Sequence, residues 1–197
     1  MPTADIELPT QGDLRRKRWT RAEYESLSGS ELLSQQRSEL VEGELINKMG
    51  KGLPHVRALV LLHEWLLAIF GRRRVVPEPS IDVFPEDNPT SEPEPDLIVV
   101  SREITDFTEN PKPRDLLLVI EIADSSLYVD LTTKAGLYAR AGIVDYWVLD
   151  IAGRRMIVHR DPRGGQYTSI VTYGPDDRVA PLAAPGCALR VGDACAR

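Results

Sequence analysis

Apolar and polar residues alternate along the N-terminal half of the chain with the periods of short helices and hairpins. The stretch "TRAE", which begins at Thr20, has the pattern of a capping box and predicts a short helix. "SELVEGELI" alternates on both sides of Glu42 and Gly43, which predicts a tight β-hairpin. A long apolar segment opens at Pro54 and predicts a helix to about Phe70. Because this helix is apolar nearly all round, we expect it to be packed on more than one side.

The C-terminal half alternates strands with one further helix. Apolar stretches bounded by turn residues predict strands at 96–100, 116–122, 143–150, 156–160 and 166–173, and an interrupted strand within 72–84. A helix is expected at about 131–141, ending near Gly142. This mixed order favours an α/β or α+β fold, in which a mixed sheet is flanked by helices.

Length and composition are those of a chain with one hydrophobic core. The chain has 197 residues, of which 42% are hydrophobic, so we expect a single domain over 19–197. Residues 1–18 contain prolines, a glycine and the basic run "RRKR", which predicts a flexible N-terminal arm. The basic run suits either a solvated tail or an arm that binds phosphate.

Charge and cysteine content narrow the classes of function. The net charge of −6 disfavours tight non-specific binding of DNA by charge alone, although a cation bound at an acidic site would change the local charge. The apolar run from Val56 to Phe70 is short and contains charged residues, so we expect no membrane partner. The N-terminal residues do not follow the order of a secretory signal, and we expect a cytoplasmic protein with Cys187 and Cys195 as free thiols.

Two predicted strands carry acidic residues that strand formation does not explain. Asp96 follows "EPEP" and opens an apolar strand, where the prolines favour an extended approach and leave the aspartate at an open strand end. Glu121 lies within "LLLVIEIA", a strand that is apolar on both faces and is therefore expected to be buried on both. A buried carboxylate needs a partner, or its pKa shifts until it is neutral. We therefore expect a neutralising group close to Glu121.

Lys134 on the following helix is the expected partner. At about 100° per residue, Lys134 falls beside Tyr138 on the face that also carries Leu131, so the lysine points toward packed structure. Asp130 stands just before the predicted helix, where we expect it to act as the N-cap, although it could also hold Lys134.

Asp96, Glu121 and Lys134 together suit a metal-dependent phosphodiesterase. Two carboxylates on neighbouring strands are ligands of the kind that Mg²⁺ or Mn²⁺ takes together with water. A lysine beside them can orient or deprotonate a water molecule and stabilise developing negative charge. The same three residues also suit a buried ion pair that only holds the sheet to its helix, and spacing alone does not decide between the two interpretations.

Several segments of the chain resemble one known family. They are "PDLIVV", "LLLVIEIADSSLYVDLTTKAGLYARAGIVDYWVLD" and, in the N-terminal half, "SELVEGELI" and "PHVRALVLLHEWL". These segments are similar to the Uma-type family of restriction endonucleases, which belongs to the PD-(D/E)XK nuclease superfamily. The resemblance runs from about Trp19 to the last strands. It implies a restriction-endonuclease-like core, with an N-terminal hairpin and extra C-terminal strands around it.

The resemblance also implies roles for individual residues. Asp96 and Glu121 would be the metal-binding acids, and Lys134 the catalytic lysine. The usual superfamily pattern places the lysine two positions after the second acid, which is Ala123 here, so the lysine has moved to the following helix. Glu39 matches an N-terminal glutamate of the family, and His55 matches a histidine at the start of the long helix.

The sequence therefore predicts an endonuclease that hydrolyses DNA phosphodiester bonds with Mg²⁺ or Mn²⁺. Two alternatives stay open. One is a catalytically inert module on the same fold that binds nucleic acid or assembles with other chains, and the other is a metal-dependent phosphodiesterase with a non-DNA substrate. A chain of this size that cuts both strands of DNA would act as a homodimer.

Overall fold

A computed structural model of the protein describes residues 17–28, 38–48 and 52–195. The expected arm over 1–18 lies almost entirely outside these residues. The first helix, α1 (Arg21–Ser28), begins at the predicted capping box. Thr20 N donates to Glu23 Oε2 at 2.9 Å, and Glu23 N donates to Thr20 Oγ1 at 3.3 Å. In each of these hydrogen bonds, the backbone N–H of one residue donates to a side-chain oxygen of the other, which is the pattern of a capping box.

The predicted hairpin is confirmed and stands apart from the main sheet. Its strands are β1 (Ser38–Val41) and β2 (Glu44–Asn47), which pair antiparallel. Glu42 and Gly43 between them both have positive φ, 49° and 77°, as a two-residue turn with the right-handed strand twist requires. The predicted long helix follows as α2 (Leu53–Phe70).

Six further strands form one mixed sheet. They are β3 (Val75–Pro77), β4 (Leu97–Val100), β5 (Leu116–Ala123), β6 (Asp145–Asp150), β7 (Arg155–Arg163) and β8 (Gln166–Tyr173), and they lie side by side in that order. β5 and β6 are parallel, and the other neighbouring pairs are antiparallel. A parallel pair needs a crossover connection. It is supplied by α3, a helix over 127–140 made of Leu127–Val129, Asp130–Lys134 and Ala135–Arg140.

Helices cover both faces of this sheet. On one face, α2 packs through Ala58, Leu62 and Leu66 in a cluster that includes Leu118 and Trp147. On the other face, α3 packs in a second cluster of buried side chains, among them Val119 of β5 and Leu137 and Tyr138 of α3. The expectation of an α/β mixed sheet flanked by helices is confirmed. Since successive side chains of β5 alternate between the two clusters, Glu121 falls on the face covered by α3.

One prediction about α2 is wrong. Leu53, Val56 and Val60 are 60%, 40% and 47% exposed, so the helix buries only one side. By length and by its mean hydropathy of 1.4, α2 could also span a membrane. This differs from the expectation of no membrane partner, which is drawn from the short length and the charged residues of the segment. The side of α2 that is buried packs on the sheet.

The C-terminal segment adds small elements beside the α2 face. Strands β9 (Arg178–Val179) and β10 (Leu189–Arg190) form a separate two-stranded sheet, and a short helix α4 (Val191–Ala194) follows. The strands predicted near the C-terminus, at 156–160 and 166–173, correspond to β7 and β8, whereas β9 and β10 are not predicted. Cys187 and Cys195 are free thiols, as expected.

Candidate functional site

The "EPEP" stretch before β4 binds the hairpin and thereby positions Glu39. Proline has no backbone N–H, so only the glutamates of this stretch can donate. Glu92 N donates to Leu40 O at 2.7 Å, and Glu94 N donates to Glu39 Oε2 at 2.9 Å. Both amides therefore donate to residues of β1. The amide of Glu94 binds the side chain of Glu39 rather than the backbone. Glu39 is held with its carboxylate toward the sheet and is 3% exposed.

Asp96 is tied to the strand that carries Glu121. The register of β4 and β5 pairs Leu97 with Ile120, so Asp96, one residue earlier, comes opposite Glu121. Asp96 Oδ2 accepts a hydrogen bond from Ile122 N at 2.8 Å, and Asp96 Oδ1 lies 3.2 Å from His55 Nε2. Strand pairing therefore brings the two acids together, and α2 adds the histidine from its first turn.

Glu121 receives two side chains from α3. Lys134 Nζ and Tyr138 OH both donate to Glu121 Oε1, each at 3.0 Å. Lys134 Nζ also lies 2.7 Å from Glu39 Oε1 and 3.8 Å from Asp130 Oδ1. The predicted pairing of Glu121 with Lys134 is confirmed as a contact, and the lysine is shared among three carboxylates.

A local change in helical pitch aligns the α3 side chains. Asp130–Lys134 form a π-helical turn inside α3. In an α-helix, side chains four residues apart drift by about 40° around the axis. The wider π-turn reduces this drift, so Asp130, Lys134 and Tyr138, spaced four apart, all point into the protein and are all buried.

Asp130 is a residue of the site that the sequence analysis placed differently. It is not the helix N-cap, because α3 begins at Leu127 and Asp130 lies inside it. Its Oδ2 accepts a hydrogen bond from Ser126 Oγ at 2.5 Å, while its Oδ1 is buried with no hydrogen-bond partner among the described residues. The spacing of Asp130, Lys134 and Tyr138 is the sequence signal that could have placed all three on one helix face.

Burial and mutual repulsion perturb the ionisation of this cluster. Burial raises the pKa of Glu121, and the nearby Lys134 opposes that rise. Burial likewise raises the pKa of Asp130 to about 6, again opposed by Lys134. Burial alone would lower the pKa of Lys134, but the surrounding carboxylates, Glu121 first, outweigh it and raise that pKa. Lys134 therefore stays protonated at neutral pH.

These side chains line a cleft with a cavity volume of about 350 Å³. All five residues predicted for the site line it, namely Glu39, His55, Asp96, Glu121 and Lys134, and Asp130 lines it as well. Asp124 and Lys48 line the cleft too, so the described lining has five acids and two lysines and, when fully ionised, an excess of negative charge. That excess is what a bound cation would compensate.

The described residues offer a divalent cation two carboxylates, but not a complete set of metal ligands. Within 17–28, 38–48 and 52–195, no group of three or more His, Cys, Asp or Glu side chains has the arrangement of a metal site. Mg²⁺ is commonly bound by one or two carboxylates, with water and substrate phosphate completing its shell. Asp96 and Glu121 fit that smaller requirement, because the β4–β5 register places them opposite each other and both hydrogen bonds on Glu121 go to Oε1. Their role as metal ligands stays a prediction.

Comparison with known proteins agrees with this architecture. The family model Uma2, described as "Putative restriction endonuclease", matches residues 21–192. A crystal structure described as a putative nuclease belonging to DUF820, from Anabaena variabilis ATCC 29413, superposes with a TM-score of 0.68. The two chains are 18% identical, and the alignment covers 89% of this chain and 97% of the other. No curated protein matches the sequence.

The solved structure supports the restriction-endonuclease-like fold, and the family match covers nearly the whole of the chain. Family and fold together indicate a nuclease. The chain therefore belongs to the Uma2 family of putative restriction endonucleases.

Proposed function

We propose that this protein is a metal-dependent endonuclease that hydrolyses DNA phosphodiester bonds at the cleft between β4, β5 and α3. The observation that carries the proposal is the buried Lys134, which lies within 4 Å of three carboxylates at the bottom of an acidic cleft. A lysine needed only for neutralisation could be satisfied by one acid. Here the described lining of the cavity has five acids and two lysines, so a further positive charge would compensate the excess.

Asp96 and Glu121 are the residues that would hold Mg²⁺ or Mn²⁺. When bound, the cation would compensate the negative charge of the cleft and of the substrate phosphate and increase the acidity of water. Asp96 is prepared for this role by the backbone amide of Ile122, which fixes one of its oxygens. His55 stands beside the other oxygen and orients the carboxylate.

Lys134 acts as a fixed positive charge. Because its neighbours keep it protonated, it does not serve as the proton acceptor. An ammonium held in a buried position stabilises negative charge that develops on a phosphate, without the cost of reorganising during the reaction. Glu39 and Asp130 hold the ammonium in place from β1 and from α3 itself.

A cleavage assay tests the proposal. Supercoiled plasmid, linear duplex and single-stranded DNA are incubated with the protein in Mg²⁺, in Mn²⁺ or in EDTA. We expect cleavage with a divalent cation, none in EDTA, and none with Glu121→Gln. Asp145→Asn is the matched control, because Asp145 is also a fully buried strand acid but pairs with Arg160 and Trp147 away from the cleft. It should keep its activity.

Other outcomes would overturn the proposal in different ways. Metal-dependent hydrolysis of a small phosphodiester without cleavage of any DNA would point to another phosphate substrate. DNA binding without hydrolysis, unchanged by Glu121→Gln, would point to an inert binding module. Cleavage that persists in Glu121→Gln would place the chemistry elsewhere.

A further inference from the structure

One edge of the six-stranded sheet is long, uncharged and open. Strand β8 has eight residues, "QYTSIVTY", none of them charged and none of them proline. It pairs with β7 on one side, and in the described part of the chain no strand follows it in the sheet. We propose that β8 pairs antiparallel with β8 of a second copy of this chain, which joins two sheets into one across a two-fold axis.

The opposite edge of the same sheet is built differently. Strand β3 has three residues and ends at Pro77, which cannot donate to a neighbouring strand. Short edge strands and proline are among the ways by which natural sheets avoid pairing with other chains. Charged side chains on the edge strand are another way to avoid such pairing, and β8 has none. The protein thus protects one edge of the sheet and leaves the other available.

The side chains of β8 also favour contact with another chain. Ile170 is 58% exposed and Val171 is 45% exposed, although they are neighbours in the strand and so project to opposite faces. Apolar side chains are therefore left in water on both sides of the edge. A paired strand would cover part of each and would also satisfy the outward-pointing backbone groups, which are about half of those in the strand.

Two-fold symmetry fixes which registers are available. A two-fold axis perpendicular to the sheet keeps each side chain on its own face, so one residue must lie on the axis opposite its own copy. With Ile170 on the axis, its side chain faces the Ile170 of the second copy, and Ser169 faces Val171. The two exposed isoleucines would then form an apolar cross-strand pair of the kind that stabilises antiparallel sheets.

The charges beyond the strand ends are compatible with that register. Arg163 lies at the end of β7 before the turn into β8, and Asp177 follows β8. Both side chains are exposed. Antiparallel pairing brings Arg163 of one copy to the end of the strand where the second copy has Asp177. The strand is thus neutral in the middle and has unlike charges at its two ends, which makes it complementary to itself.

The joined sheet would present both clefts on the same side, a consequence that rests on the proposed function. The axis preserves the faces, and Glu121 lies on the α3 face of β5 in each copy. From β5 of one copy to β5 of the other there would be seven strand spacings, or roughly 34 Å at about 4.8 Å each. This is close to one turn of double-helical DNA, about 34–36 Å.

The oligomeric state of the full chain tests the proposal without any nuclease assay. We expect sedimentation velocity and light scattering to show a dimer that dissociates on dilution. Ile170→Lys and Ile170→Glu should each be monomeric, because each places like charges opposite each other on the axis. An equimolar mixture of these two variants should recover the dimer. Thr172→Lys is a second disrupting variant that removes no apolar side chain.

Val60→Lys is the matched control, since Val60 is an exposed apolar residue on α2, far from β8 in the sequence. It should leave the dimer intact. A parent protein that is monomeric at all concentrations would overturn the proposal. So would a dimer that resists the Ile170 and Thr172 variants, or one that Val60→Lys disrupts, because either result places the interface elsewhere. None of these outcomes depends on whether the chain cleaves DNA.

Discussion

Lys134 Nζ lies 2.7 Å from Glu39 Oε1, and this contact joins the helix that crosses between the parallel strands to a hairpin outside the main sheet. The same ammonium also contacts Glu121 on β5. One buried cation therefore links three separate elements of the chain.

Replacing Glu121 with glutamine should separate metal binding from folding. The substitution removes a buried negative charge at nearly constant volume, and Lys134 keeps Glu39 and Asp130 as partners. We expect the metal-free variant to be at least as stable as the parent in chemical denaturation. Its affinity for Mg²⁺ or Mn²⁺ should fall by roughly 100-fold or more, since even indirect partners of a metal contribute about 10- to 100-fold. Calorimetric titration measures that change.

Asp145→Asn provides the comparison for Glu121→Gln. Asp145 accepts from Trp147 Nε1, Arg160 Nε and Leu182 N, so its loss should destabilise the protein while metal affinity stays unchanged. If Glu121→Gln behaved in the same way, the glutamate would be a structural partner of Lys134 and no more.

Lys134→Met should make stability depend on metal. Without the ammonium, three carboxylates face each other with no compensation, and the metal-free variant should lose about 3–5 kcal/mol in free energy of unfolding. Added Mg²⁺ should raise its melting temperature by more than it raises that of the parent, because the cation replaces the missing charge. Cleavage should be lost at all metal concentrations. An equal metal response in both proteins would show that the lysine and the cation do not share a site.

Asp130 should make the metal-free protein less stable as pH rises. Its pKa is raised by burial from 3.8 to about 6 in the folded state. Because the folded pKa is the higher one, the contribution to stability is fully present below the unfolded pKa and is lost as pH rises through the folded pKa. Asp130→Asn avoids this loss.

The free energy of unfolding of Asp130→Asn, relative to that of the parent, should rise between about pH 4 and pH 7. At 1.36 kcal/mol per pKa unit, the rise should reach at most about 3 kcal/mol. Denaturation of both proteins in EDTA across this range measures the difference. A difference that stays constant with pH would contradict the assignment of a raised pKa to Asp130.

The hydroxyl of Tyr138 should affect metal binding through Glu121. Tyr138→Phe removes a buried hydrogen bond to Glu121 Oε1 and should cost about 1–2 kcal/mol of stability. Tyr146→Phe removes a similar buried hydrogen bond, but to the backbone carbonyl of Asp130 at 2.9 Å. We expect similar losses of stability in both variants and a change in metal affinity in Tyr138→Phe alone. Equal metal affinities would show that the hydroxyl serves packing rather than the carboxylate.

Local patterns in the sequence were sufficient where neighbouring residues decide the structure. The capping box at Thr20 and the turn at Glu42 and Gly43 depend on residues within one turn of chain, and both are confirmed. The pairing of Glu121 with Lys134 could also be predicted, because strand alternation and helical phase are both regular.

The sequence could not show features that depend on distant contacts. α2 looks apolar all round, yet Leu53 and Val60 are exposed, because only the sheet determines which side is covered. Asp130 resembles an N-cap until Ser126 is found donating to it from the preceding turn. Glu39 entered the site only through family resemblance, since its place depends on the amide of Glu94 in a separate part of the chain.

The hairpin of β1 and β2 ties the site to the hydrophobic core. It forms its own two-stranded sheet, yet all four residues of β1 are buried, and Val41 belongs to the cluster on the α3 face. Opening the hairpin would expose Leu40 and Val41 to water, so we expect it to cost nearly as much free energy as global unfolding. The contact between Lys134 and Glu39 should then last as long as the protein stays folded. Hydrogen exchange at the Glu92 amide, which donates to Leu40 O, should therefore be about as slow as exchange at the amides within β5.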